Sequence, residues 1–493
     1  GFDSNYYKML KELQQVHFFG RRLTAEAKVN VFGKERDIAK MAVSLKNVAL
    51  GVSLKLSPIV ALTNATTGLT TLQIMKWVGD GVYTPADDRA MGQLGTMVSG
   101  GVSEVGAMFA NNRLNKIGEN FGIFSGTNRL RDTNYGKAGR ILPNIGYGLM
   151  ELTNYPLATR VLLNKLMELR VVNGKVYSWS AFKNYNMVNH PTKNQSEIKS
   201  EFDEAKNNSL WDMLDENGKI DYSKLQELGV TESLENIQLD AMSKIRDINE
   251  EVTGQLGHVS NPLASYNPWA QFIMSLKKWM VIATTNVFSN NRYDINREGM
   301  VQGMYMSPRA LWNMIQDMRK NHTSGKEAWN NLSIEERNVL KNLSITGLTL
   351  LGLLIIASAT MKYADDDDEK DNYLAQLTAY MTLRTLNEAS SASYGLLDNY
   401  YQALQNPVQT LQILKDGSNL LNVGDIGETM QTGRFKGYDK YGATVLKLLP
   451  LKNLQTVSSP YTLETSREGY VHFGKQGSIY NILNLLPNTN RNE

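Results

Sequence analysis

Apolar residues recur at three- and four-residue spacing along much of the chain, a period that predicts helix rather than strand. Residues 1 to about 55 read this way, from Tyr6-Tyr7-Lys8-Met9-Leu10 through Ile38-Ala39-Lys40-Met41-Ala42, with basic polar faces. Residues 56–75 carry no charge, but Pro58, Asn64 and Gly68 interrupt them. That pattern predicts a helix–turn–helix packed in a core. Helical periods return over residues 157–169, 210–214, 233–252, 268 to about 290 and 308 to about 320. Between them, Val171-Val172-Asn173-Gly174-Lys175-Val176-Tyr177 predicts a small hairpin turning on Asn-Gly. Ser333 followed by Glu335 and Glu336 is a helix start, with a capping hydroxyl and acids in the first turn.

The helix that Ser333 opens leads into the most distinctive segment. Residues 342–361 are twenty positions without a charge, between Lys341 and Lys362. A helix of that length spans about 30 Å, the thickness of a bilayer hydrocarbon core. Ile345, Leu348, Leu351, Leu354, Ile355 and Ile356 are its large apolar positions, and Gly347 and Gly352 offer small faces for helix contact. The run Asp365-Asp366-Asp367-Asp368-Glu369 follows and resists crossing a membrane. Two readings stay open: a helix buried all round in a core or an oligomer, and a helix able to meet lipid.

These elements predict an all-α fold of several irregular helical subdomains with glycine-rich connections and one small hairpin. The expected regions are 1–155, 156–260, 261–340, 341–371 and 372–493. Glycine is frequent over residues 92–148, where each helical glycine costs up to about 1 kcal/mol against alanine, so close packing or loops are expected.

With 493 residues, 42% hydrophobic and 20% charged, the chain suits a folded protein of more than one core. It has no cysteine, which excludes disulfides and thiolate metal sites. The net charge of +3 is too small to argue for nucleic-acid binding, but its distribution is uneven. Residues 201–251 hold fourteen acids and five bases, a net of −9, leaving +12 for the rest. Solvated helix faces account for this, with an acidic surface docking on a basic partner as the alternative. Arg113, Lys116, Arg129, Arg131, Lys137 and Arg140 likewise read as solvated charge, and nucleic acid is at most a weak expected partner.

Catalytic and metal signatures do not assemble. His17, His190, His258, His322 and His472 are scattered, with no pair at helical spacing. Tyr135-Gly136-Lys137-Ala138-Gly139-Arg140 lacks the first glycine and the hydroxyl of a phosphate loop. Aligning Gly218 with the glycine of a calcium loop puts Met213 at the first ligand and Lys224 at the bidentate one, so an Asn-Gly turn is the better reading. No catalytic residue, cofactor or metal is expected.

One stretch resembles a known family. The run Asn267-Pro268-Trp269-Ala270-Gln271-Phe272-Ile273-Met274-Ser275-Leu276-Lys277-Lys278-Trp279-Met280 precedes Asn291-Arg292-Tyr293-Asp294, then Arg297-Glu298-Gly299 and Gly303-Met304-Tyr305. Phe272, the basic pair Lys277 and Lys278, Trp279, the Arg292-Tyr293-Asp294 turn and the Glu298-Gly299 element resemble a segment of the large internal virion proteins of crAss-like tailed phages. The resemblance is fair over residues 255–310 and weak elsewhere, and it departs from the family where Ile282-Ala283-Thr284-Thr285 replaces basic residues.

The resemblance implies a non-enzymatic cargo protein, packaged in the capsid or tail in multiple copies and ejected into the host with the genome. Its implied partners are portal, tail or other cargo chains and the host membrane. Its implied place is the virion interior, then the host envelope or cytoplasm. The alternatives are a permanent structural protein of the portal or tail lumen and a non-catalytic piece of a larger virion polyprotein such as a packaged polymerase. No apolar leader stands in residues 1–10, and a start at Gly1 is read as precursor cleavage or as part of a larger chain.

Overall fold

The computed structural model describes residues 28–31, 34–37, 58–79, 82–83, 113–123, 141–190, 192–253 and 279–364, with 378, 380–386, 428–429, 431 and 440. The described chain is mostly helical, as the periodicity predicts, with three two-stranded antiparallel sheets.

Strands β1 (Lys28–Val31) and β2 (Lys34–Asp37) pair in register, Lys28 opposite Asp37. This corrects the helix expected over residues 1–55 at these eight positions; the rest of that range lies outside the described residues. Val29 and Val31 alternate with polar residues there, and a period of two sustained over four positions is enough for a hairpin.

Helix α1 (Pro58–Val78) is continuous, not a helix–turn–helix. Pro58 occupies its first position, where a missing N–H costs nothing. Gly68 is a contact point, since a Cβ there would stand 2.5 Å from Leu157 Cδ1 and 3.2 Å from Val252 Cγ1. Asn64 turns inward to donate to Asn154. Two residues that read as breakers are therefore packing and pairing devices. The expectation of core packing stands, with Ala61, Leu72 and Met75 buried.

Helices α2 (Arg113–Asn120) and α3 (Ile141–Glu168) follow. The expected boundary at 155/156 falls inside α3, whose face Leu157, Val161, Leu162 and Leu166 is fully buried. Strands β3 (Arg170–Val172) and β4 (Lys175–Tyr177) form the predicted hairpin. Asn173 and Gly174 carry φ of 51° and 75°, the left-handed pair that an Asn-Gly hairpin turn requires.

Helices α4 (Trp179–Asn189) and α5 (Gln195–Glu204) carry a small aromatic chain in which Tyr177 meets Phe182 edge-on, Phe182 meets Phe202, and Phe202 meets Trp179. Residues 210–214 form turns and one bridge, Leu214 to Ile220, not the helix expected. Asp215 Oδ1 accepts from the Asn217 and Lys219 amides, and Gly218 (φ 73°) lies against Ile117. Helix α6 (Tyr222–Glu227) leads to α7 (Leu234–Thr253), which buries Ile237, Ala241, Ile245, Ile248 and Val252 against α1 and α3.

The second part begins at α8 (Trp279–Phe288), followed by the hairpin of β5 (Arg292–Asp294) and β6 (Gly299–Val301). Helices α9 (Ser307–Lys320), α10 (Gly325–Asn331) and α11 (Ile334–Ala364) complete it. The predicted start of α11 holds: the Glu336 amide donates to Ser333 Oγ (3.2 Å) and the Ser333 amide to Glu336 Oε2 (3.1 Å), a reciprocal cap. Helix α11 runs through the expected boundary at 340/341 and packs on both α9 and α1.

Candidate functional site

Two features stand out, and both lie where the sequence drew attention. The first is the β5–β6 hairpin. Its turn is held by Asp294, whose Oδ1 accepts from the Asn296 and Arg297 amides at 2.9 Å each. Glu298 takes a left-handed φ of 48°, unusual without glycine, and this turns its carboxylate toward the body of the protein. There it meets the Lys244 ammonium of α7 and accepts from Ser178 Oγ at the start of α4. Asn296 Nδ2 donates to the Lys244 carbonyl (3.2 Å) and to Asp247 Oδ2 (2.9 Å). Asn286 of α8 donates to Glu251 Oε1 (3.0 Å).

The result is an ionic clasp between α7 and the hairpin, with Asp240, Asp247, Glu251, Asp294 and Glu298 against Lys244, Arg292 and Arg297. Burial disfavours the Lys244 ammonium, yet Asp240 (2.9 Å) and Glu298 outweigh it and hold its pKa above the usual lysine value. Burial acts on Asp294 too, but Arg297 and Arg292 keep it below the ordinary carboxylate range. Asp247 is pushed up by burial and by the Asp294 charge. Burial raises Glu251 to about 7, with Arg297 and Arg292 opposing and Asp247 and Asp294 adding to the rise. Burial disfavours the Glu251 anion more than the two arginines favour it, so its pKa is the one raised furthest toward neutrality.

This arrangement docks two pieces of chain. Ser178, the hydroxyl beside Lys244 and Glu298, is fully buried, and its Oγ also accepts the Ala181 amide to cap α4. Among the described residues no cluster of His, Asp and Glu is arranged to hold a metal.

The resemblance residues divide accordingly. Phe272, Lys277 and Lys278 lie outside the described residues, and Trp279 is the first residue of α8. Arg292, Asp294, Glu298 and Gly299 come together in the clasp, while Tyr293 faces outward opposite Met300, 64% and 49% exposed. Sequence reasoning missed Lys244, Asp247, Glu251 and Asn296. A signal existed: Asp240, Lys244, Asp247 and Glu251 recur at four, three and four residues on α7, beside its apolar stripe. The acids read as solvated face are in part this docking stripe.

The second feature is the apolar surface of α9 and α11. The described span Glu335–Ile356 is, by length and composition, long and apolar enough to cross a membrane, yet only 22% of its apolar eighteen-residue stretch is buried. Val339, Leu340, Thr346 and Leu354 face inward. Leu348 (68% exposed), Leu351, Ile355 and Ile356 face outward, and Ile345 lies between. The described chain therefore does not bury the helix all round, which leaves its outward face to a neighbouring copy or to lipid. Gly347 and Gly352 make no close contact, since a Cβ at either would meet nothing within 4 Å. On α9, Leu311, Trp312, Ile315 and Met318 are also exposed.

No protein-family model, curated protein or solved structure is detectably similar to this chain.

Proposed function

We propose that this chain is a non-enzymatic internal protein of a tailed-phage virion, akin to the cargo proteins of crAss-like phages, stored in the capsid or tail and released into the host with the genome. The observation that carries the reading is the outward stripe Leu348, Leu351, Ile355 and Ile356 on α11, beyond the packing that the described chain supplies. Exposed apolar surface of this kind marks a partner or a membrane. In the stored particle, portal, tail or other cargo chains cover it. After release, the host envelope or other ejected chains take their place. The resemblance of Arg292-Tyr293-Asp294 and Glu298-Gly299 to virion proteins supplies the biological setting.

Local helices also suit passage through a narrow channel, because they re-form fast once unfolded. Comparing the proteins of filled particles with those of particles that have emptied their DNA tests the reading. Loss of the chain on emptying is expected. Full retention would overturn ejection in favour of a permanent portal or tail-lumen component, whose symmetric neighbours cover the same stripe.

A further inference from the structure

Helix α9 carries a surface that the α11 stripe does not explain. Its inner side is ordinary: Ser307 and Ala310 are buried, and Ala310 packs on Leu332 and Leu340 with Met314, Trp329 and Leu343 around them. Its apolar arc runs well past that contact, to Leu311, Trp312, Ile315 and Met318, which are 46%, 58%, 45% and 40% exposed. Arg309 and Lys320 are exposed beside that arc, and Arg319 is exposed within it, at the C-terminal end of the helix.

The one acid of α9, Asp317, is turned aside and held. Asn331 of α10 donates to it at 2.8 Å, and Thr323 and Asn321 add further bonds. Glu336 of α11 accepts from Asn313 and closes the α11 cap. The free face of α9 is therefore apolar, flanked by Arg309 and Lys320 and closed at its C-terminal end by Arg319, and its aromatic is a tryptophan.

We propose that α9 is an interfacial lipid-binding helix, its Leu311, Trp312, Ile315 and Met318 entering the acyl boundary of an anionic bilayer while Arg309, Arg319 and Lys320 meet the lipid phosphates. The charge decides the occupant. A second copy pairing through the same face antiparallel would bring Arg309 against Arg319 and Lys320 of its mate, like charges at both ends. An anionic surface complements all three cations, and a fourteen-residue helix with a tryptophan and basic rim is built to lie in the headgroup layer. The inference deepens the membrane part of the proposed function and does not depend on where the chain is stored.

The test is flotation of the full chain with vesicles of phosphatidylcholine alone and of phosphatidylcholine with phosphatidylglycerol, at low and high salt. Flotation only with the anionic vesicles, weakened by salt, is expected. Trp312→Glu should cut partitioning about tenfold. Arg319→Gln with Lys320→Gln should cut it about fivefold per charge, since each basic residue near an anionic surface contributes on the order of 1 kcal/mol. Circular dichroism and melting of each variant show whether it is folded; if Trp312→Glu is not, Ile315→Gln takes its place.

A folded Trp312→Glu that floats like the parent overturns the inference. If Leu351→Asp alone abolishes flotation and the α9 variants do not, lipid contact belongs to α11, so the proposed function stands and this inference falls. Self-association lost in Trp312→Glu, with no flotation of the parent, assigns the face to a second copy and also overturns it.

Discussion

The body built on α1, α3 and α7 and the segment from α8 to α11 are both helical, but they are held together differently. In the body, Val161, Leu162, Leu166, Ile245 and their neighbours form one continuous apolar cluster, each almost wholly out of water. In the segment, Ala310, Leu332 and Leu340 form the buried cluster of α9–α11, and large apolar residues of the same two helices stand in solvent. The segment is tied to the body by the clasp of Lys244, Glu298, Asn296 and Asp247 and by α11 lying on α1. Ionic and amide contacts fix a position but contribute less net stability than buried apolar area. The body is thus a scaffold, and the segment is a docked surface with apolar area to spare.

Four outcomes would break or sharpen this contrast. The largest is expected in the body, where Leu162→Ala should cost about 3 kcal/mol in chemical denaturation. Leu348→Ala, outward on α11, should change stability by less than about 0.5 kcal/mol. Equal losses would mean that the two regions share one kind of core.

Next comes the clasp. Lys244→Met leaves Asp240 and Glu298 without their cation and should cost about 2 kcal/mol, less than a fully buried pair because both acids keep water contact. Hydrogen exchange should quicken first in β5–β6 and only weakly in α3. Uniform acceleration would contradict a local dock.

A matched pair of glycine substitutions follows, with opposite signs. Gly68→Ala drives a methyl into Leu157 and should destabilise by about 1–2 kcal/mol. Gly352→Ala meets nothing and should stabilise by about 0.5–1 kcal/mol through helix propensity. Melting temperatures of the two variants read the difference directly.

The smallest effect concerns pH. Glu251 rises from 4.5 when free to about 7 in the fold, so the native state holds its proton more tightly than the unfolded chain. Stability from this group is full below about pH 4.5 and declines as pH rises to about 7. Asp294, held below its free value, acts oppositely, and its contribution is lost only in stronger acid. Glu251→Gln should remove the decline between these limits and raise melting at pH 8 by about 2–4 °C. An unchanged pH profile would remove Glu251 from the clasp's proton balance.

Much of this was legible in the chain itself. The Asn173-Gly174 turn, the Ser333 cap and the apolar stripe of α7 each follow from residue types at fixed local spacing, and local spacing is what a sequence displays. The errors share a cause as well. Gly68 and Asn64 looked like interruptions because the sequence cannot show the helices that close on one and bond the other. Gly347 and Gly352 looked like contact points for the same reason. At the candidate site, Asp294, Glu298 and Gly299 were singled out, but their partners on α7 lie some fifty residues away and were hidden among acids that read as surface.

The sequence by itself determined that this is a cysteine-free helical protein with one long uncharged helix, because hydrophobic period, caps and turn residues act over a few positions. The tertiary structure decided which faces of those helices are spent on packing. Only the assembled fold shows α3 and α7 closing on Gly68 of α1, α7 turning its charged stripe to a hairpin, and α9 and α11 left with apolar faces turned to solvent, because burial is set by what arrives from elsewhere in the chain.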